Sequence, residues 1–203
     1  MYQPKYYKNN NREEQLDFIR KNSFGMLINE VDNKPWVTHI PFSLSEDSTK
    51  LTSHISRGNV QWKHFSSEKE VLVVFTGPHA YVSSSWYNHE NVPTWNYIAV
   101  HVYGNIRIIE GDELKASLKQ LVDHYEADSA HPVSMEKMTP SYLEKEIRGI
   151  VAFEIAITQI EAAFKLSQNR EKEDYENIVH ELNKKEDSQA KEVAKEMKKR
   201  CPY

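Results

Sequence analysis

The clearest strand signal in the chain is WNYIAVHVYGNIRII, residues 95–109. Successive side chains along a strand point to opposite faces of a sheet. One face here carries Tyr97, Ala99, His101 and Tyr103, and the other carries Ile98, Val100 and Val102. Gly104 interrupts the alternation, which predicts a bulge or a bend at a barrel corner. The segment therefore predicts a long strand with a local change of direction.

Shorter strand signals lie on both sides of this segment. They cover residues 25–31, 34–42, 50–55, 71–76, 79–84, 149–157 and 159–166. Asp32-Asn33 suits a hairpin turn between the first two strands. Residues 71–76 are almost continuously apolar, which predicts a central strand buried on both faces, and Gly77-Pro78 is predicted to end it.

Helices are predicted between and after these strands. They cover residues 12–21 after the capping pair Asn10-Asn11, a short segment at 59–66, residues 112–126, residues 140–147 after Thr139, and two charged segments between 171 and 200. Together the elements predict an α+β protein built on an antiparallel barrel. We expect one domain over residues 1–168, with residues 169–203 as a helical extension that packs on the barrel through Tyr175, Ile178, Val179 and Leu182.

Charge and cysteine content limit the functional classes. The formal net charge of −4 argues against broad electrostatic attraction to nucleic acid. The single cysteine, Cys201, cannot form an internal disulfide, which suits a reducing compartment. The strongest apolar run, residues 71–75, is too short to span a bilayer, and the N-terminal residues do not resemble a signal peptide. We therefore expect a soluble cytoplasmic protein.

The sequence contains none of the motifs of a self-contained enzyme. It has no G-x-G-x-x-G, no phosphate loop ending in Gly-Lys-Ser/Thr, no G-x-S-x-G and no H-E-x-x-H. The nine histidines are scattered, without helical i, i+4 pairs in a carboxylate-rich segment. No metal site is predicted, because zinc and similar ions need several ligands at defined spacings.

Three polar segments carry the candidate chemistry. Residues 53–62 place hydroxyls, amides and Arg57 where a strand ends and a helix is predicted to begin, which suits either a bound anion or a polar turn capped by Asn59. Residues 77–87, followed by 92–97, set Trp and Tyr beside small hydroxyls, which suits either a planar ligand or an aromatic dimer interface. Residues 165–170 are dense in hydrogen-bond donors, which suits either a ligand or a polar exit loop.

Several separate runs, in the right order, resemble the PaiB family. They are MYQPKYY at 1–7, THIP at 38–41, the stretch at 54–62, FTGPHAYVS at 75–83, VPTWNY at 92–97 and KLSQNR at 165–170. That family is grouped with the flavin-binding split barrels, which are similar in fold to pyridoxamine phosphate oxidases. Its members are described as negative regulators of degradative-enzyme synthesis and sporulation. The resemblance implies an antiparallel split β-barrel and a homodimer with FMN sites in clefts between the subunits.

The same resemblance implies two groups of cofactor-binding residues. The turn after a strand would hold the FMN phosphate with His54, Ser56, Arg57, Asn59, Gln61 and Trp62. The later runs would face the isoalloxazine in the same cleft with Trp95, Asn96, Tyr97, Lys165, Ser167, Gln168 and Asn169. No catalytic residue is implied.

Four functions fit these observations. The leading one is an FMN-binding transcriptional regulator that acts through a protein partner. The second is an FMN-dependent oxidoreductase of a small substrate. The third is a haem-binding or haem-degrading protein, for which the candidate ligands are His39, His54, His79 and His101. The fourth is a direct DNA-binding repressor, which the net charge and the lack of a helix-turn-helix pattern disfavour.

Overall fold

Seven β-strands form one sheet in the computed structural model, which describes residues 1–203. In chain order they are β1 Phe24–Val31, β2 Lys34–Pro41, β3 Ser43–Leu44, β4 Lys50–Ser56, β5 Glu70–Val82, β6 Thr94–Ile109 and β7 Ile150–Lys165. Their order across the sheet is β2-β1-β5-β6-β7-β4-β3. The pairs β1–β2, β1–β5, β3–β4 and β4–β7 are antiparallel. Because the order ends at β2 on one side and at β3 on the other, the sheet is open. The predicted α+β class with an antiparallel sheet is confirmed.

Five α-helices accompany the sheet. They are α1 Arg12–Lys21, α2 Gly111–Glu126, α3 Pro140–Arg148, α4 Lys172–Lys184 and α5 Ser188–Lys199. The predicted cap of α1 is confirmed, because the Oδ1 atom of Asn11 accepts hydrogen bonds from the backbone N–H groups of Glu13 and Glu14 at 3.1 and 3.2 Å. The short helix expected at 59–66 is a five-residue 3-10 turn, Val60–His64.

The predicted hairpin between β1 and β2 is also confirmed. Val31 pairs with Lys34 across a two-residue turn. The turn residues Asp32 and Asn33 have φ angles of 50° and 62°. Positive φ at both positions matches the right-handed twist of the flanking strands, and Asp and Asn tolerate it better than most residues.

Gly77-Pro78 does not end a strand, because both residues lie inside β5, which runs without a break over the 13 residues Glu70–Val82. The register between β1 and β5 runs from Ile28↔Leu72 to Met26↔Val74. Since β1 begins only two residues before Met26, Pro78 lies past the end of β1, where a missing N–H deprives no β1 carbonyl of its donor. The predicted break was wrong because the local sequence does not reveal where a neighbouring strand stops.

The two strands expected at 149–157 and 159–166 are one strand, the 16-residue β7. No Gly or Pro lies within it, and Thr158, at the expected break, donates a hydrogen bond to Glu70 at 2.5 Å. A polar residue that finds a partner does not interrupt a strand, and β-branched threonine fits a strand well.

The chain divides into two compact units. Unit 1 consists of Met1–Gln15, Phe75–His101 and Glu161–Tyr203, and unit 2 consists of Leu16–Val74 and Val102–Ile160. In unit 1, α4 buries the four predicted side chains, Tyr175, Ile178, Val179 and Leu182. In unit 2, the ring of Phe153 meets the rings of Phe42 and Phe65 edge to face, at centroid distances of 6.4 and 5.2 Å. The boundary expected at residue 168 stays a prediction. None of the helices has both the length and the apolar composition needed to cross a membrane.

Gly104 lies inside β6 where the backbone of β7 comes very close. A Cβ atom at this position would lie against the carbonyl oxygen of Ala156 and 2.6 Å from Cγ2 of Ile155. We expect Gly104→Ala to lower the free energy of unfolding by about 1–3 kcal/mol, because a backbone atom cannot move aside without disturbing the strand. Urea unfolding measures the change.

The matched control is Gly58→Ala. A Cβ at Gly58 would have only Ser56 Oγ near it, at an ordinary contact distance of 3.6 Å. Equal stabilities of the two variants would contradict the close approach of β6 and β7.

Candidate functional site

Residues 56–62, which lead from the last residue of β4 into the 3-10 turn, are called here the β4 turn. Arg57 holds this segment to the chain around α3. The backbone N–H of Arg57 donates to the carbonyl oxygen of Gly149 at 2.8 Å. Its Nε and Nη2 atoms donate to the carbonyl oxygens of Arg148 and Ile150, each at 2.8 Å. The residue is exposed, and its Nη1 atom has no protein partner. One edge of the guanidinium therefore remains available to an anion.

Asn59 and Trp62 complete the β4 turn from within. The Oδ1 atom of Asn59 accepts from the N–H of Gln61 at 3.1 Å, and its Nδ2 donates to Thr38 Oγ1 at 2.8 Å. The indole Nε1 of Trp62 donates to the carbonyl oxygen of Arg57 at 3.0 Å, and the Arg57 guanidinium lies 5.9 Å from the indole ring centre. Because the 3-10 turn is short and already capped by Asn59, the helix N-terminus expected here is not an anion site in its own right.

Gln61 lies beneath the β4 turn and is fully buried, with 0% of its surface exposed. Its Nε2 atom donates to Oδ1 of Asn29 at 2.7 Å and to the carbonyl oxygen of Leu27 at 3.3 Å. Its Oε1 atom accepts from the hydroxyl of Thr38. Both ends of the amide are thus satisfied by β1 and β2, and the side chain positions the turn from behind.

His54 and Ser56 lie at the end of β4, where the strand enters the turn. His54 pairs with Ala152 of β7. Burial lowers the pKa of His54, so the imidazole is neutral at neutral pH. A neutral ring donates one hydrogen bond and contributes no charge. The exposed hydroxyl of Ser56 accepts from the N–H of Gly58 at 3.3 Å.

The second predicted group lies in unit 1 and contains another buried amide. Asn96 is fully buried, and its Nδ2 atom donates to Ser167 Oγ at 3.0 Å while Ser167 Oγ donates to Asn96 Oδ1 at 3.1 Å. The two bonds are compatible, because a hydroxyl donates its one proton to the amide oxygen while it accepts from the amide N–H through a lone pair. Ser167 has a φ of 62°, so this bond holds the loop after β7 in a strained conformation. Asn96 and Ser167 position the loop and have no free surface for a ligand.

The loop after β7 presents the rest of the second group. Gln168 Oε1 accepts from the N–H of Leu166 at 2.7 Å, which folds the side chain back on its own loop. Asn169 is exposed and accepts a hydrogen bond from the hydroxyl of Tyr7 at 3.1 Å. Lys165 donates to the hydroxyl of Thr94, and its pKa is lowered by burial and by the charge of Arg170. This loop therefore combines exposed donors with an unusually positive environment.

Aromatic side chains of β5 and β6 contact one another in unit 1. Trp95 is 51% exposed, and its ring centre lies 5.6 Å from that of His79 and 6.2 Å from that of Tyr81. Tyr97, two residues along the same strand, is half-buried. An exposed indole supported by two rings offers a surface on which a planar ligand can stack.

The predicted residues are thus gathered into two sets. Those of the β4 turn lie together in unit 2, and those of β6 and the loop after β7 lie together in unit 1. Sequence analysis did not assign Tyr7, Thr38 or Arg170 to the site. Each of them lies in a run that resembles the family, and that is the signal that could have identified them.

A cavity of about 380 Å³ lies beside α4 in unit 1. It is lined by Trp86, Tyr87, Asn88 and the acidic side of the helix, including Glu173 and Asp174. Asp174 is buried, accepts from the N–H of Asn88 at 3.0 Å and lies 3.3 Å from Nδ1 of His89. The carboxylates that line the cavity would repel a phosphate, so this cavity does not suit the phosphate of a flavin.

Comparisons with known sequences identify a family and a relative that covers almost the whole chain. The profile of a protein family described as "Putative FMN-binding domain" matches residues 1–159. The chain is 46% identical over 199 residues to the "Protease synthase and sporulation protein PAI 2" of Bacillus subtilis (strain 168), and the alignment covers 97% of this chain and 96% of that protein. The similarity therefore extends over almost the full length of both chains.

Two solved structures resemble this chain in fold. The flavocytochrome Anf3 from Azotobacter vinelandii superimposes with a TM-score of 0.64 at 15% identity, covering 84% of this chain and 75% of that one. The FAD and heme binding protein from Mycobacterium smegmatis superimposes with a TM-score of 0.61 at 17% identity, covering 78% and 73%. At such identities the likeness concerns the fold alone, and it confirms the predicted split barrel.

Removing the buried amide of Gln61 tests its role in holding the β4 turn. We expect Gln61→Ala to lower the free energy of unfolding by roughly 2 kcal/mol or more, because Asn29, Thr38 and the carbonyl of Leu27 lose a buried partner. Urea unfolding measures the loss. Lys63→Ala, an exposed change in the same 3-10 turn, is the control, and a similar loss in both variants would count against the special role of the amide.

The lowered pKa of His54 predicts a pH dependence of stability. The unfolded chain, in which histidine has its ordinary pKa of about 6.5, binds more protons than the folded chain as the pH falls towards that value. The contribution to stability is therefore present above about pH 6.5, the ordinary pKa, and is lost progressively as the pH falls below it towards the lower pKa of the folded state. His101, whose pKa burial also lowers, contributes in the same direction.

Urea unfolding at several pH values measures this dependence. We expect His54→Gln to reduce the loss of stability between pH 7.5 and 5.5, whereas His131→Gln, at an exposed position, leaves it unchanged. Parallel curves for the wild type and His54→Gln would show that burial of this imidazole is not responsible.

Proposed function

The chain belongs to the PaiB family of FMN-binding-domain proteins, and on that premise we propose that it binds FMN and regulates protease production and sporulation through a partner. Its extended identity to a protein named for protease synthesis and sporulation supports the regulatory part. The family description supports FMN as the cofactor. The β4 turn supports the cofactor site, because it presents a charged edge of Arg57 that no protein group occupies.

In this proposal the β4 turn holds the FMN phosphate. The free Nη1 of Arg57 supplies a charge-assisted hydrogen bond, and the exposed hydroxyl of Ser56 supplies a neutral one. His54 adds a neutral donor at the end of β4. Asn59, Gln61 and Trp62 fix the shape of the turn, since their polar atoms are bonded within the protein.

The second set is proposed to contact the flavin ring in a homodimer. Trp95 and Tyr97 offer aromatic surfaces, and Lys165 with Asn169 offers donors to the polar edge of the ring. Gln168 helps to shape the loop that carries them. Bound FMN supplies one- and two-electron redox chemistry. The chain's own residues would bind and orient it.

Regulation through a partner fits the charge of the chain better than direct binding to DNA. The net charge is −4, and sequence-independent contact with DNA requires a basic surface that neutralises phosphates. A flavin whose oxidation state or occupancy changes could alter the surface offered to a protein partner.

An FMN-dependent oxidoreductase of a small substrate is the second candidate. The exposed indole of Trp95, supported by His79 and Tyr81, favours it, because a phosphate-binding turn alone needs no aromatic surface. Reduction of the bound flavin by NADPH, followed by turnover with an electron acceptor, would establish this activity.

The test of the proposed cofactor site is FMN binding by the wild type and by Arg57→Ala. We expect the purified protein to retain flavin absorption after desalting. We expect the variant to bind FMN about 10- to 100-fold more weakly, because it loses a charge-assisted bond of roughly 1.5–3 kcal/mol. Quenching of flavin fluorescence measures the affinity.

Arg20→Ala provides the control, since it removes another arginine of unit 2 that bonds only to Asp17 and Ser48. Because Arg57 also bonds to the chain around α3, thermal unfolding of the variant is recorded in parallel. A folded Arg57→Ala that binds FMN as the wild type does would remove the phosphate assignment.

A further inference from the structure

Two cations of unit 1 lie close together without an ion-pair partner. Lys165 donates to the hydroxyl of Thr94, and its Nζ lies 5.8 Å from the ring centre of Tyr7. The guanidinium of Arg170 lies 4.9 Å from the ring centre of Tyr87 and makes no hydrogen bond through its side chain. Burial lowers the pKa of Lys165, and the charge of Arg170 lowers it further because the two cations repel one another.

The rings of two tyrosines, Tyr7 and Tyr87, lie next to these cations. Tyr87 is 8% exposed, and its buried hydroxyl has no hydrogen-bond partner. Tyr7 donates to Asn169, and its pKa is raised mainly by burial; the charge of Arg170 opposes this shift, and the phenols of Tyr87 and Tyr97 add to it. Buried hydroxyls nearly always have a partner, so the orphaned donor of Tyr87 points to a group that the protein itself does not supply.

We propose that these five residues, called here the Lys165–Arg170 cluster, bind an oxyanion, namely the phosphate or carboxylate group of a small molecule. The cluster comprises Tyr7, Tyr87, Tyr97, Lys165 and Arg170, all in unit 1. An oxyanion relieves the repulsion between the two cations and accepts the hydrogen bond that Tyr87 cannot donate elsewhere. Neither cation forms an ion pair with a carboxylate, and each contacts an aromatic ring instead, which leaves its charge available to the ligand.

This inference deepens the proposed function and rests on it only where Lys165 serves both sites. Because the proposed function gives the single phosphate of FMN to the β4 turn, the oxyanion of the cluster belongs to a separate small molecule that binds beside the flavin. The other source is the phosphate of FMN itself, and that outcome would move the phosphate away from the β4 turn. Both are recognised by the same chemistry. The β4 turn lies in unit 2, so its arginine can be removed without touching the cluster.

The experiment titrates inorganic phosphate into the flavin-free protein by calorimetry at low ionic strength. The wild type is expected to bind phosphate, and Lys165→Met and Arg170→Met are expected to bind it at least tenfold more weakly. Lys185→Met is the matched control, because Lys185 also lies over an aromatic ring of unit 1, at 5.5 Å from the ring centre of Trp86.

Tyr87→Phe separates binding from structure. Its hydroxyl makes no bond within the protein, so its removal is expected to leave the unfolding temperature unchanged or raised. The same change is expected to weaken phosphate binding several-fold. The proposal is overturned if the wild type binds no phosphate. It is also overturned if Tyr87→Phe and both methionine variants bind phosphate with the affinity of the wild type.

A second titration with FMN-loaded protein distinguishes the sources. Unchanged phosphate binding assigns the cluster to a separate small molecule. Competition by FMN but not by riboflavin, which has the same ring and no phosphate, assigns it to the phosphate of FMN. If the protein takes up no FMN, the titration of the flavin-free protein alone decides. Loss of FMN uptake with phosphate binding retained sinks the flavin proposal and leaves the oxyanion site standing.

Discussion

The fully buried amide of Gln61 is the interaction on which the β4 turn depends. A buried amide without partners is costly, so the chain around Gln61 must supply both donors and acceptors. β1 supplies the carbonyl of Leu27 and the side chain of Asn29, and β2 supplies Thr38. Because these bonds are made only when the hairpin and the turn are both in place, the conformation of Arg57 and Ser56 follows from the folding of the sheet.

The same arrangement recurs in unit 1. Asn96 is fully buried and bonds to Ser167, whose positive φ sets the course of the loop after β7. In both places the buried amide lies in a run that resembles the family. Its polar atoms bond within the protein, so the amide offers no hydrogen bond to a ligand. The residues left with free donors, Arg57, Lys165 and Asn169, lie at the surface that these amides support. Buried residues position the site, and their neighbours present it.

Charge distribution explains how an acidic chain can still attract anions. The formal net charge is −4, yet Arg57, Lys165 and Arg170 make no ion pair with a carboxylate. Their charges are directed towards backbone carbonyls and aromatic rings, which do not neutralise them. The carboxylates of α4 gather instead around the cavity next to Trp86. Local placement of charge, rather than the total, therefore decides which ligands each surface suits.

Elements with a local signal in the sequence could be predicted without the structure. Alternation defined β6, the Asp32-Asn33 pair defined the hairpin, and apolar spacing defined the buried face of α4. The tertiary structure alone decided that β5 and β7 are each continuous, and that Gln61 and Asn96 are buried while Arg57 keeps a free edge. Those outcomes depend on partners far away in the chain. A proline is tolerated only where the adjacent strand has ended, and an amide is buried only where distant residues satisfy its hydrogen bonds.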